Sequence, residues 1–207
     1  SGIEELIALE AETGQRVNSI LQLRLHPSII ALREKVATGP KNKIYDVDLG
    51  YFTSRGGWYQ ASWKGSEQKS GGIATNIGVH FFDMLNFIFG PVLESVVHNR
   101  GPEAAAGYME LAQARVRWVL SINSKHLPAH TPIGQRTHRS ITIEGEEIEF
   151  SGGFTDLHTR SFENILEGNG FGLNVVQPSI ELVSQIRSAP IELSRGEQHP
   201  DIKKVLD

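Results

Sequence analysis

No cysteine occurs among the 207 residues, which removes disulfide bridges, thiolate metal sites and cysteine nucleophiles at once and fits a reducing compartment. Any metal must then be held by histidine and carboxylate. An excess of one charge is also lacking: 20 Lys and Arg against 24 Asp and Glu leave a formal net charge of −4. No broad basic surface awaits a nucleic acid, and phosphate recognition has to come from local clusters. Long apolar runs are missing too. No stretch approaches the roughly 20 residues that span a bilayer, and Ser1-Gly2-Ile3-Glu4-Glu5 lacks the basic-then-apolar order of a signal peptide. The expectation is a cytoplasmic protein with no membrane or nucleic-acid partner. What is present, 39% hydrophobic and 21% charged residues, suits a soluble globular domain with a real core.

Periodicity orders the chain. Ile3, Leu6, Ile7 and Leu9 lie in an acidic helical pattern that stops at Gly14, and residues 17–25 read as a buried strand ended by His26-Pro27. Residues 28–37 form a helix closed by Gly39-Pro40, residues 43–53 alternate as a strand with one covered face, and 54–70 make a polar loop. A helix is predicted over 71–90, stopped by Gly90-Pro91. Strands follow at 92–98, 108–123, 140–143 and 147–150, then helices at about 159–167 and 175–186. The fold class is α+β, a large, mostly antiparallel mixed sheet with helices on one face.

The most informative stretch is Gly71-Gly72-Ile73-Ala74-Thr75-Asn76-Ile77-Gly78-Val79-His80-Phe81-Phe82-Asp83. On a helix, Asn76 and His80 are four apart and share a face, so an amide and an imidazole converge on one ligand hydroxyl. Histidine, with an unperturbed pKa of about 6.5, suits removal of a proton from an alcohol. Gly72 and Gly78 leave room for a ligand or cofactor ring near the backbone, and Asp83 is placed to orient the imidazole or cap a nearby group. Spacing alone does not separate this reading from a structural histidine.

The Gly-Gly-x-x-x-Asn-x-Gly-x-His-x-x-Asp string resembles the signature helix of the glucose-fructose oxidoreductase / inositol dehydrogenase / rhizopine-catabolism (Gfo/Idh/MocA) family. The resemblance implies that His80 acts on a sugar hydroxyl. Many members carry aspartate where this chain has Asn76; an amide orients a hydroxyl but takes no proton from it, which leaves His80 as the base. Leu21-Gln22-Leu23-Arg24-Leu25-His26-Pro27, the loop Gly57-Trp58-Tyr59-Gln60-Ala61-Ser62-Trp63-Lys64-Gly65 and Asp156-Leu157-His158-Thr159 are similar to bacterial UDP-N-acetyl-2-amino-2-deoxyglucuronate dehydrogenases of surface-polysaccharide (O-antigen) synthesis. That likeness implies oxidation of the 3-hydroxyl of a UDP-linked N-acetylglucosaminuronic acid with NAD. It also implies that residues 1–25 are the closing helix and strand of a nucleotide-binding domain and 26–207 a substrate-binding and oligomerisation domain. The glycine-rich fingerprint and Glu-Lys-Pro motif of complete members do not occur here, so the isolated chain is expected to be inactive, with NAD held mainly elsewhere and subunits pairing as a homodimer or homotetramer through the sheet face.

Arg55, Trp58, Tyr59, Trp63 and Lys64 make the 54–70 loop basic and aromatic, suited to a diphosphate or uronate and to stacking on sugar or uracil. Arg24 at a strand end and His158 before a helix are further substrate candidates, while Asp156 reads equally as an N-cap. His126, His130 and His138 sit in a proline-containing loop with neither zinc spacing nor an interleaved carboxylate, and are assigned no metal. Gly168-Asn169-Gly170-Phe171-Gly172 follows a helix, lacks a βαβ context and reads as a turn. Three readings stay open beside the main one: a family member acting on a free sugar, a non-catalytic assembly module, and a histidine-only metal hydrolase.

Overall fold

The computed structural model describes residues 2–206. Along the chain, α1 (Gly2–Thr13) leads to a short strand β1 (Asn18–Ser19), a 3-10 turn (Gln22–Leu25) and α2 (Pro27–Thr38). Pro27 opens α2, where the N–H that proline lacks has no intrahelical partner to lose, and His26 caps it by accepting from the Ser28 amide at 3.2 Å. β2 (Tyr45–Thr53) follows, then α3 (Gly57–Ala61), a second 3-10 turn (Trp63–Gly65) and α4 (Glu67–Ser70). Gly71 and Gly72, both at φ +76°, redirect the backbone in a conformation that side chains disfavour. The next helix begins with a π-helical turn (Ala74–Gly78) and continues as α5 (Val79–Phe89). β3 (Val92–Arg100), β4 (Ala104–Leu111) and β5 (Ala114–Ser121) form a meander, and β6 (Thr137–Ile143) and β7 (Glu146–Glu149) a hairpin. Its turn has Glu144 at φ 52° and Gly145 at φ 84°, the pair of positive angles that matches strand twist. α6 (Leu157–Leu166), β8 (Phe171–Gly172), α7 (Leu173–Ser188) and α8 (Lys203–Leu206) complete the chain.

The large sheet has six strands in the order β3-β4-β5-β2-β6-β7; β2 and β5 run parallel and every other pair is antiparallel. Its main core lies on one face, where Leu32 and Val36 of α2, Phe82 and Leu85 of α5 and Leu182 and Val183 of α7 pack with Val47, Leu49, Val116 and Trp118. The Phe82 and Trp118 rings meet edge to face at 5.0 Å. On the other face a smaller cluster of Phe52, Ala104, Ala106 and Val119 is covered by Leu127, Ile202 and Val205. Among the described residues, no helix is long and apolar enough to cross a membrane.

Three expectations change. Residues 17–25 do not form a strand: only Asn18–Ser19 pair, with β8, and Gln22–Leu25 wind into a 3-10 turn. The alternating Leu21, Leu23 and Leu25 imitate a strand period, yet all three are buried. Residues 108–123 split into two strands because Ala112 and Gln113 turn the chain, their amides held by the Pro91 and Phe89 carbonyls at 3.0 Å. And Gly78 leaves no space for a ligand: a Cβ there would lie 2.7 Å from Phe82 and 3.0 Å from Leu120, so its smallness serves the core.

Candidate functional site

A cavity of about 430 Å³ opens where the end of β2, the 54–70 loop, the π-helical turn and the start of α5 meet, closed on the far side by β6 and α6. Six of the residues expected at a site line it: Asn76 and His80 from the signature segment, Arg55, Tyr59 and Lys64 from the loop, and His158 from the first turn of α6. The π-helical turn carries Asn76, and such turns recur at functional sites because they shift side chains out of α register. Asn76 Nδ2 donates to Tyr59 Oη at 2.8 Å. This fixes the amide's orientation and leaves its carbonyl oxygen to accept from a hydroxyl.

His80 is largely buried, and burial lowers its pKa below the usual imidazole value; His158 acts in the same direction, while the Asp83 carboxylate opposes both. The neutral imidazole at physiological pH is the form that accepts a proton. Its Nδ1 is buried with no hydrogen-bond partner among the described residues, so Asp83 does not orient the ring. Asp83 instead takes a bidentate pair from Arg24, at 2.7 and 2.8 Å, and a 3.2 Å bond from the Ser179 hydroxyl.

That pairing withdraws Arg24 from the cavity lining. Its guanidinium is also flanked by the Phe87 and Phe171 rings at 4.8 and 5.4 Å, a buried structural setting for a side chain expected to touch substrate. Trp58 does not line the cavity either: it is 57% exposed and lies edge-on to Tyr59, with Lys64 Nζ 5.9 Å from its ring. Its place is behind the loop's cation. His26 is structural, capping α2 through Nδ1 and bonding the Gly152 carbonyl through Nε2 at 2.9 Å.

Arg139 is the residue that sequence reasoning missed. β6 carries it opposite Tyr51, and its guanidinium lies 4.2 Å from the Phe154 ring centre and 5.4 Å from that of Tyr51. Burial lowers its pKa, Tyr51 raises it, and the neighbouring Arg55 lowers it again. Arg55 donates to Tyr51 Oη at 3.1 Å while its Nε is buried without a partner. Arg55, Lys64 and Arg139 thus bring three cations to one cavity that no carboxylate lines. Two like charges crowded on a shared tyrosine are disfavoured unless an anion joins them.

The family model described as the oxidoreductase family, C-terminal alpha/beta domain, matches residues 33–131. The WlbA (WbpB) dehydrogenase of Thermus thermophilus, solved in complex with NAD and UDP-GlcNAcA, is 48% identical, with a TM-score of 0.90 over 96% of this chain. The chain has the fold of the C-terminal domain of Gfo/Idh/MocA oxidoreductases and resembles that family. It spans 64% of the Thermus thermophilus chain's length. The Bordetella pertussis WlbA dehydrogenase, in complex with NADH and UDP-GlcNAcA, shares the fold: TM-score 0.68 and 19% identity, over 89% of this chain and 63% of that one. YteT of Bacillus subtilis (strain 168) is 28% identical over 93 residues, covering 44% of this chain and 22% of that protein. That resemblance agrees with the six-stranded, mostly antiparallel sheet and its helical layer.

Proposed function

We propose that this chain is the sugar-binding, proton-accepting part of an NAD-dependent dehydrogenase that oxidises the 3-hydroxyl of a UDP-linked N-acetylglucosaminuronic acid, a step of surface-polysaccharide (O-antigen) synthesis. The observation that carries the reading is the cavity lined by Arg55, Lys64 and Arg139 with no carboxylate, beside His80 and Asn76. A uronate and a diphosphate together present the anionic groups that such a set recognises through bidentate guanidinium contacts. The likeness to a dehydrogenase solved with UDP-GlcNAcA supports the same substrate class.

In this reading His80 removes the hydroxyl proton, which its burial-lowered pKa permits, and Asn76, held by Tyr59, aligns that hydroxyl. His158, exposed beside the cavity, adds to the lowering that burial imposes on His80. When bound, NAD supplies the hydride acceptor. Gly168–Gly172 lead from α6 through the short β8 into α7, but β8 pairs antiparallel with β1 and not within a parallel βαβ unit. The reading assigns NAD mainly to a further domain, as the likeness to a dehydrogenase solved with NAD suggests. Leu6, Ile7 and Leu9 of α1 are exposed, which supports α1 packing against such a unit. The reading assigns homodimer or homotetramer formation to the large sheet.

Calorimetric titration of the chain with UDP-N-acetylglucosaminuronic acid, UDP and free glucuronate tests the reading. Binding of the UDP-sugar above either part, weakened at least about tenfold in Arg139→Met and Arg55→Met, is the expected result, equivalent to about 1.4 kcal/mol or more per lost charge-assisted contact. Equal binding by both variants and wild type would remove the anionic substrate from the proposal and leave a neutral free sugar.

A further inference from the structure

The face of the sheet turned away from the main helices holds a second cavity, of about 500 Å³, separate in its lining from the candidate active site. Gly50 stands opposite Ser140 in the β2–β6 register, and both line the hollow. Two turns in the 127–136 loop, closed by Thr131 N to Pro128 O and Gln135 N to Pro132 O at 3.0 Å, bring His130 back over β6. The His130 and His138 rings stand edge to face at 5.2 Å. Glu147, from β7, reaches across the hairpin to place a carboxylate oxygen 3.3 Å from His138 Nε2. One ligand atom from each of the three lies within 4.8 Å of the others.

We propose that His130, His138 and Glu147 bind a single divalent cation of the zinc class. Two imidazoles and one carboxylate are a donor set that zinc takes, with Zn–N near 2.0–2.1 Å and Zn–O near 2.0–2.2 Å. At a tetrahedral angle these lengths place neighbouring ligand atoms about 3.4 Å apart, and the His138–Glu147 pair already stands at 3.3 Å. His138 is buried and held by the strand, with Ser140 Oγ 3.2 Å from its Nε2. His130 is exposed on its loop and closes the remaining distance by a side-chain movement. The fourth position faces the cavity, whose walls include Asp48, His199 and Asp201. The carboxylate that the loop's own sequence lacks is thus supplied by the adjacent hairpin strand. A bound ion ties the 127–136 loop to β6 and β7, next to the Arg136 carbonyl that accepts from Ser54 N at 2.8 Å.

The test uses the full chain, stripped with EDTA and titrated with Zn²⁺ in competition with a chromophoric chelator, and with Co²⁺ followed by visible absorption. One equivalent of Zn²⁺ per chain and intense tetrahedral Co²⁺ bands are expected, with affinity lowered at least tenfold in His130→Ala and in Glu147→Gln. Both side chains are exposed, so far-ultraviolet circular dichroism should show each variant folded as wild type. The absence of a stoichiometric site, or a site that keeps its affinity in both variants, overturns the assignment.

Discussion

Removing the charge of Asp83 should cost the domain about 3–5 kcal/mol, the usual penalty for stripping one partner from a buried ion pair. The side chain of Asp83 is 2% exposed and that of Arg24 13%, so Asp83→Asn leaves a guanidinium with little water, two former contacts at 2.7 and 2.8 Å and two aromatic rings for company. Arg24's residual exposure lets some solvent return, which puts the expectation near 3 kcal/mol. For a chain of this length each kcal/mol moves the midpoint of thermal unfolding by about 2–4 °C, so calorimetry should register a fall of about 6–12 °C. Arg24→Met should cost a similar amount, because the carboxylate then keeps only the Ser179 hydroxyl. The double variant Arg24→Met/Asp83→Leu should recover most of the loss, since buried pairs exchange for apolar ones at little net cost. Singles costing under about 1 kcal/mol, or a double variant whose loss equals their sum, would refute a coupled buried pair. A ligand titration completes the case: Arg24→Met should leave affinity for the UDP-sugar within about threefold, whereas a loss above about tenfold would return Arg24 to the binding site.

Acid should weaken the fold through two histidines. Burial holds His80 and His199 below the ordinary imidazole value; the unfolded chain therefore takes up their protons first, and their contribution is intact above about pH 6.5 and declines as pH falls below it. Urea unfolding from pH 8 to 5 should show a shallower pH slope in His199→Gln than in wild type, and identical slopes would contradict this. Gly78→Ala should destabilise by about 1–3 kcal/mol through overpacking against Phe82 and Leu120, read by the shift in urea midpoint. Asn76→Ala should cost only about 1 kcal/mol of stability, from the lost bond to Tyr59, while weakening the UDP-sugar more than UDP; an equal effect on both ligands would argue against contact with the sugar.

Much of the architecture was legible because local rules and tertiary packing agree. Pro27 and Gly39-Pro40 bracket α2, and the alternation through Val47 and Leu49 marks β2. The segment before His26 misled because Leu21, Leu23 and Leu25 repeat every second residue while packing as a turn, a pattern that a short buried run shares with a strand. The hairpin at Ala112–Gln113 carries no glycine or asparagine; its amides are held by the carbonyls of Phe89, the last residue of α5, and of Pro91 just beyond it, a signal outside the local sequence. At the site, Asn76 and His80 could be found by spacing within one helix. Arg139 could not, because only the β2–β6 register sets it beside Tyr51 and Arg55. Arg24 looked available as a cation at an apparent strand end, and nothing nearby in sequence revealed that Asp83, on another helix, engages it.

The single parallel pairing in the sheet joins strands that lie far apart in sequence. β3, β4 and β5 join through short turns and can form early, as can the β6–β7 hairpin. β2 is made before either, yet it has no neighbour in sequence to pair with: Tyr45 must find Ala114 on one side and Val47 must find Ile143 on the other. Closing such long loops is slow. Before β2 inserts, the β3–β5 meander and the β6–β7 hairpin would each offer an open edge, and a chain permuted to place β2 next to β5 or β6 in sequence should refold faster in stopped-flow measurements.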